Sequence, residues 1–334
     1  MSWRFSVRLV ALLWFATTGS VAYCDEAPIE NTQRKPVAIP DGRDSDLRVF
    51  ERGGAVVYGI RALQRMETGD ALVIWLAGNQ FFAMENVVRA FQKKHADLDV
   101  GVVTLPPGLL LSAIQAGGLA YRGSVFHRSP DVYGSVSRVH LRQTGRIGSY
   151  VSYAHNRLEL MVAAGNPKAV RDVHDLARDD LRVALPNPID EGIMQVYAKP
   201  ILMRLGLWSL LSNGQDCMDC DPTPHVHFTR VHHREIPERI RAGTTDVGLV
   251  WHTEGIAARE QGGIEAVALP TDQSAVQEVT YVAGALDDSA QRNAADRYVE
   301  FLVSPDGQAA YGAFGFVPAT AAERRIKPLP RLGK

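Results

Sequence analysis

Residues 71–79 read Ala71-Leu-Val-Ile-Trp-Leu76, then Ala77-Gly78-Asn79. An unbroken apolar run of this length, closed by a turn, is the pattern of a strand buried on both faces. A helix follows at once, because Met84, Val87, Val88 and Phe91 recur on one helical face. A second strand, Val100 to Thr104, leads through Pro106-Pro107-Gly108 into a helix carrying Leu110, Leu111 and Ile114, which Gly117 and Gly118 stop. Downstream the alternation continues with Asp131-Val-Tyr133, then Arg182 to Leu185, then a helix with Ile193, Val196, Tyr197, Ile201 and Leu205, ended by Gly206. Val226 to Val231, a helix from about Glu235 to Ala242, and Asp246 to Trp251 follow, with helices near 290–303 and 306–312 closing the chain. Strands alternating with helices predict an α/β fold with mostly parallel sheets. Upstream, residues 46–70 show partial helical spacing (Val57, Ile60, Leu63) that this alternation does not place.

The first residues address the chain. Arg4 and Arg8 precede an apolar run from Leu9 to Ala16, and Thr17-Thr-Gly-Ser-Val-Ala22 follows. A positive start, an apolar middle and a small-residue end are the build of a secretory signal peptide, here 1–22. Val21-Ala22-Tyr23-Cys24 offers a rival reading, lipidation of Cys24, but Tyr23 stands where that motif wants a small residue. Residues 23–45, broken by Pro28, Pro36 and Pro40, read as a linker. The expected compartment is the periplasm.

Of 334 residues, 36 are Lys or Arg and 37 Asp or Glu, a net charge of −1. Hydrophobic residues at 46% and charged residues at 22% exclude a disordered chain. Without a basic stripe, nucleic acid is not an expected partner. Three cysteines are too few for a disulfide scaffold in a chain this long. No G-x-S-x-G elbow, H-E-x-x-H helix, P-loop or dinucleotide fingerprint occurs, so neither an enzyme nor a cofactor is expected.

In open α/β sheets, ligands bind outside the carboxyl ends of the strands. That rule selects Asn79, Gln80 and Phe81 after the first strand, and Pro106 and Gly108 after the second. It then selects Gly134, Ser135 and Ser137; Pro186, Asn187 and Asp190; His232, His233 and Arg234; and His252 and Thr253. Several of these open helices, whose free N–H groups suit an anion. The plainer reading of Asn79 and Thr253 is helix capping.

Cys217-Met-Asp-Cys220 is followed closely by His225, His227, His232 and His233. The two cysteines read either as a local disulfide or, with His225 and His227, as a structural metal site. His225 and His227 open a strand that ends before His232 and His233. The first pair and the cysteines are therefore expected away from the ligand end, and the second pair towards it. His232, His233 and His252 read as ligand contacts that change charge near neutral pH, or as ordinary helix-end histidines.

Taken together, the segments resemble the type II periplasmic substrate-binding proteins, in particular the molybdate-binding proteins of ABC transporters. The resemblance lies in Ala71 to His95, Asp131-Val-Tyr-Gly-Ser135, and Asn156-Arg-Leu-Glu-Leu160 with Gly165-Asn-Pro167. It continues in Asp175-Leu-Ala177, Arg182-Val-Ala184, Tyr197-Ala198, Leu205-Gly-Leu-Trp208 and Thr245-Asp-Val-Gly-Leu-Val250. Phe301-Leu-Val-Ser-Pro305 and Gly315-Phe-Val-Pro318 complete it, so that it covers roughly 71–318. It implies two α/β lobes, 46–153 plus 280–334 and 154–279, with a ligand cleft between them. It also implies a monomer that hands a small molecule or oxyanion to an ABC-transporter permease in the membrane. The ligand-binding set, chosen from the strand ends with Trp251 added by the resemblance, is Asn79, Gln80, Phe81, Gly108, Ser135, Asn187, Asp190, His232, His233, Trp251 and His252. The sequence departs from that family where Asn79 and Gln80 replace a usual Ser, where Pro106 and Pro107 remove N–H donors, and where Trp251 stands for a Tyr. These departures put molybdate in doubt and favour another anion or a small organic ligand. A metal-handling protein built on the Cys/His cluster is the alternative.

Overall fold

The computed structural model describes residues 35–189, 191–230 and 233–330. The leader reading of 1–22, Cys24, Asp190 and His232 therefore lie outside the described residues. Along the chain, β1 (Leu47–Phe50), β2 (Val56–Tyr58) and α1 (Gly59–Thr68) precede β3 (Leu72–Ala77), α2 (Met84–Gln92), β4 (Val100–Leu105) and α3 (Pro107–Ala116). Next come β5 (Val132–Ser135), α4 (Arg138–Gln143), β6 (Ser149–His155), β7 (Leu158–Ala163) and β8 (Val183–Leu185). A π-wound turn over Ile193–Ala198 continues as α5 (Lys199–Arg204), and α6 (Trp208–Ser212) precedes the hairpin of β9 (Cys220–Thr223) and β10 (Val226–Phe228). The remainder is α7 (Ile236–Arg241), β11 (Val247–Trp251), α8 (His252–Glu260), β12 (Ile264–Ala268), β13 (Thr280–Ala285), α9 (Arg292–Val303) and α10 (Pro305–Gly312). Among the described residues, no helix is long and apolar enough to cross a membrane.

Two sheets organise these elements. The first runs β6-β13-β5-β3-β4-β1-β2, and the second β9-β10-β8-β11-β7-β12. Each holds a parallel trio at its centre, β4-β3-β5 in one and β10-β8-β11 in the other. Each trio is then extended by an antiparallel strand, β13 or β7, that belongs to a crossover between the sheets. The chain passes to the second sheet between β6 and β7 and returns between β12 and β13, giving a two-lobed α/β fold. Within these two sheets parallel pairing is thus confined to the central strands, because the crossover strands and the β1–β2 hairpin all enter antiparallel. That hairpin and α1 account for residues 46–70: the hairpin extends the edge of the first sheet.

β3 is buried along its whole length. Leu72, Ile74 and Leu76 enter one apolar cluster while Val73 and Trp75 enter another, the period-2 alternation of a strand covered on both faces. β4 divides in the same way, with Val100 and Val102 on one side and Val103 and Leu105 on the other. Gly101 permits this packing, since a Cβ there would lie 2.7 Å from Cγ of Met66 on α1. Gly117, at φ 76°, ends α3 in the left-handed conformation.

Candidate functional site

The carboxyl ends of both parallel trios meet where the crossovers pass. In the first lobe, β3 ends in the tight turn Gly78–Gln80, which buries Asn79 and Gln80. β1 is antiparallel to β4, so its start brings Asp46 to this same end, where Thr104 Oγ1 donates to Asp46 Oδ1 at 3.2 Å. In the second lobe, the turns after β8, β10 and β11 supply Asn187, Thr229, His233, Arg234 and the start of α8.

One chain of hydrogen bonds runs through both crossovers. Asn79 touches the Tyr281 hydroxyl of β13 at 2.5 Å. Asn156, between β6 and β7, donates to the same hydroxyl at 3.1 Å and to Thr253 Oγ1 of α8 at 3.0 Å. All four residues are buried. A second bridge comes from Arg234, whose guanidinium lies 3.8 Å from the Phe81 ring centroid. It donates to the Gly78 carbonyl at 2.6 Å and pairs with Asp46 at 3.4 Å. Arg48 of the first lobe donates to the Phe81 carbonyl at 2.7 Å, so two guanidinium groups grip the turn that carries Asn79. Tyr197 adds a hydroxyl contact to the Val136 carbonyl at 3.4 Å.

Behind this surface the second lobe holds a buried charge cluster. The Glu191 carboxylate accepts from the Asn187 N–H at 3.0 Å, the His233 N–H at 2.7 Å, the Thr229 hydroxyl and His233 Nδ1. His233 Nε2 faces Glu254 at 2.7 Å. Burial alone would lower the His233 imidazole, but Glu254 and Glu191 outweigh it and push it up to about 9. Burial opposes ionisation of Glu191 too, yet the imidazolium and its hydrogen bonds hold that carboxyl below its ordinary value. His233 is therefore a fixed cation at neutral pH, which corrects the reading of it as a neutral-pH switch.

The sequence-selected residues fall into distinct roles. Asn79 lies on the interlobe chain, and Phe81 under Arg234. Gln80 is fully enclosed, its Oε1 accepting from Tyr153 at 2.7 Å and Tyr311 at 2.9 Å, so its amide serves the first lobe's core. Gly108 lies exposed at the start of α3 with open space around it. The Ser135 hydroxyl meets His140 Nδ1 at 2.9 Å and accepts from the Ser137 N–H, inside its own turn. Asn187 serves Glu191. Trp251 packs edge-on to Tyr197 at 5.5 Å. Both ring nitrogens of His252 are engaged, Nδ1 with Glu159 at 2.5 Å and Nε2 with Arg157 at 2.8 Å.

The metal reading of Cys217, Cys220, His225 and His227 is overturned. Cys217 and Cys220 form a disulfide, which removes both thiolates, and His227 is taken by Asp221 at 2.7 Å. Among the described residues no group of three or more His, Cys, Asp or Glu side chains is arranged to hold a metal ion. The position of the cysteines is also corrected. β9 reverses against β10 and sets Cys220 opposite Phe228, so the disulfide lies towards the ligand end while His225 stays at the opposite end.

Glu191, Glu254, Asn156, Tyr281 and Asp46 were not singled out as site residues from the sequence. Asn156 carried a faint signal in the N-R-L segment, and Glu191 stands next to the selected Asp190. The remainder become neighbours only through the crossovers.

Two α/β lobes, joined by paired crossovers, bring polar loops of both sheets together, the architecture of a two-lobed binding-protein fold. Residues 72–317 match the family model described as bacterial extracellular solute-binding protein, and the chain belongs to that family. Its members bind solutes for transport and are not enzymes. A sulfate-binding protein from Synechococcus elongatus is 26% identical over 183 residues, 52% of this chain and 51% of that relative. The chain thus spans about half the length of the curated relative it matches. The periplasmic molybdate-binding protein of Azotobacter vinelandii superposes with a TM-score of 0.56 at 18% identity, covering 75% of this chain and 100% of that one. The sulfate-binding protein SubI of Mycobacterium tuberculosis H37Rv gives 0.56 at 18% identity, covering 75% and 88%. At such identities the likeness concerns the fold, which is the two-lobed type II periplasmic-binding fold.

Proposed function

We propose that this chain is exported to the periplasm, captures a small anion between its lobes and delivers it to an ABC-transporter permease. The observation that carries this reading is the meeting of donor groups from both lobes and a crossover, Asn79, Arg234 and Asn156, at the carboxyl ends of both sheets. The sulfate- and molybdate-binding relatives favour a tetrahedral oxyanion as the ligand, with small organic anions as the next class. Asn79 is the foremost contact, Phe81, Gly108 and Trp251 are further candidates at the strand ends, and Asp190 and His232 are added by chain position. Gln80, Ser135, Asn187, His233 and His252 hold those contacts in place.

A ligand that binds only the folded state stabilises it by mass action, about 2.7 kcal/mol at a hundredfold excess over Kd. For a chain of this size that is a rise in Tm of roughly 5 °C. The mature protein is expected to show such a rise with at least one of sulfate, molybdate, tungstate, phosphate or a small carboxylate. A melting curve unmoved by all of them refutes the anion reading.

A further inference from the structure

The four-residue chain across the lobes specifies which atom of Asn79 meets the ligand. An amide's oxygen and nitrogen exchange places when the group turns over, and the hydrogen-bond network decides between them. Asn156 is fixed, because its Oδ1 accepts the Arg157 backbone N–H at 2.9 Å. Its Nδ2 must therefore donate to Thr253 and to the Tyr281 oxygen. Burial holds the Tyr281 phenol well above its ordinary value, so the hydroxyl keeps its proton and must donate it. Among the described residues, only the Asn79 amide is placed to receive it.

With Nδ2 of Asn79 turned to Tyr281, two N–H groups point at one phenol oxygen, the phenol proton has no acceptor, and the buried Asn79 Oδ1 has no partner among the described residues. Turning the amide over resolves all three faults. Tyr281 then donates to Oδ1, and 2.5 Å suits an O–H···O bond where it is too short for N–H···O. The amide nitrogen, with two hydrogens to give, then takes the position that no donor of the described residues reaches. A buried donor left unmatched is costly, so the position calls for an acceptor.

We propose that Tyr281, oriented by Asn156, is a positioning residue that turns the Asn79 amide N–H₂ to the ligand, so that the site takes an oxyanion presenting an unprotonated oxygen there. This inference rests on the anion reading above and adds the polarity of the contact. The same chain ends at Thr253 on α8, so the contact in the first lobe is set by groups of both crossovers and the second lobe.

The test is calorimetric titration of wild type, Asn79→Ala, Asn79→Asp, Tyr281→Phe and Asn79→Ala/Tyr281→Phe with sodium sulfate and sodium molybdate at pH 7. Losing a hydrogen bond to an anion predicts about ten- to hundredfold weaker binding for Asn79→Ala. Tyr281→Phe is expected to lose about tenfold without touching the anion, and the double variant to bind no more weakly than Asn79→Ala. Asn79→Asp, which replaces the donor by a like charge, is expected to bind neither anion. Asn79→Ser keeps a donor that needs no Tyr281, and its affinity should not respond to Tyr281→Phe, a result that loss of folding cannot imitate. Single-variant losses that multiply in the double variant, wild-type affinity in Tyr281→Phe, or binding by Asn79→Asp overturn the inference while leaving the anion reading intact. Failure of wild type to bind either anion overturns this inference, while the other ligands of the melting series then decide the anion reading.

Discussion

His233 shows how a single side chain can be committed to structure inside a binding region. It is enclosed between Glu191 and Glu254, and its raised pKa of about 9 ties stability to pH. A group whose folded pKa lies above its ordinary 6.5 contributes stability that is complete below that value and lost as pH rises through 9. Glu191, held low, contributes stability above its ordinary value that is lost as pH falls. The urea midpoint is therefore expected to be flat from about pH 5 to pH 6.5 and to decline from there to about pH 9. His233→Leu strands two buried carboxylates and should cost about 3–5 kcal/mol. That variant should also gain stability on acidification, as the carboxyls protonate. A variant of wild-type stability, or one with the wild-type pH profile, contradicts this account. The sequence placed His233 at the ligand end of a strand but could not show its partners, since Glu191 lies 42 residues away and nothing local encodes the pairing.

At the scale of elements, Arg234 ties the second lobe to the first. Arg234 grips the Gly78–Gln80 turn through a carbonyl, the Phe81 ring and Asp46. If it holds the lobes closed, Arg234→Met should speed release of a bound anion by about tenfold with much less change in the association rate. Stopped-flow tryptophan fluorescence would read both rates, and an unchanged release rate sinks the idea. Most strands were legible as apolar runs, β3 best of all, because a strand buried on both faces has no polar position to blur it. The β1–β2 hairpin was not placed, because these short edge strands precede the first strand–helix unit. Cys220 to Thr223 carries Asp221 and Pro222, so no strand pattern announces β9, and its reversal moved the disulfide to the unexpected end.

For the whole molecule, the repeated sheet order was visible only as an alternation. The antiparallel crossover strands β7 and β13 look like any other strand in sequence, and their direction is a property of topology. The leader reading predicts that the exported protein starts at Tyr23. An intact mass showing a chain shortened by residues 1–22 supports it, whereas a lipid-modified Cys24 at the new terminus favours anchoring instead. The crossovers also set an order of assembly. Val132 pairs with Ala285, so the first lobe cannot close its sheet until the chain past the entire second lobe is available. A chain threaded through an export pore from its amino end delivers that strand near the last. Until then the edges of β5 and β6 that pair with β13 stay open, and the sheet of the first lobe is unfinished. On the export proposed above, such late closure would leave the leading half open to mispairing until β13 has crossed, so the time β13 takes to arrive would set the period during which the chain needs protection.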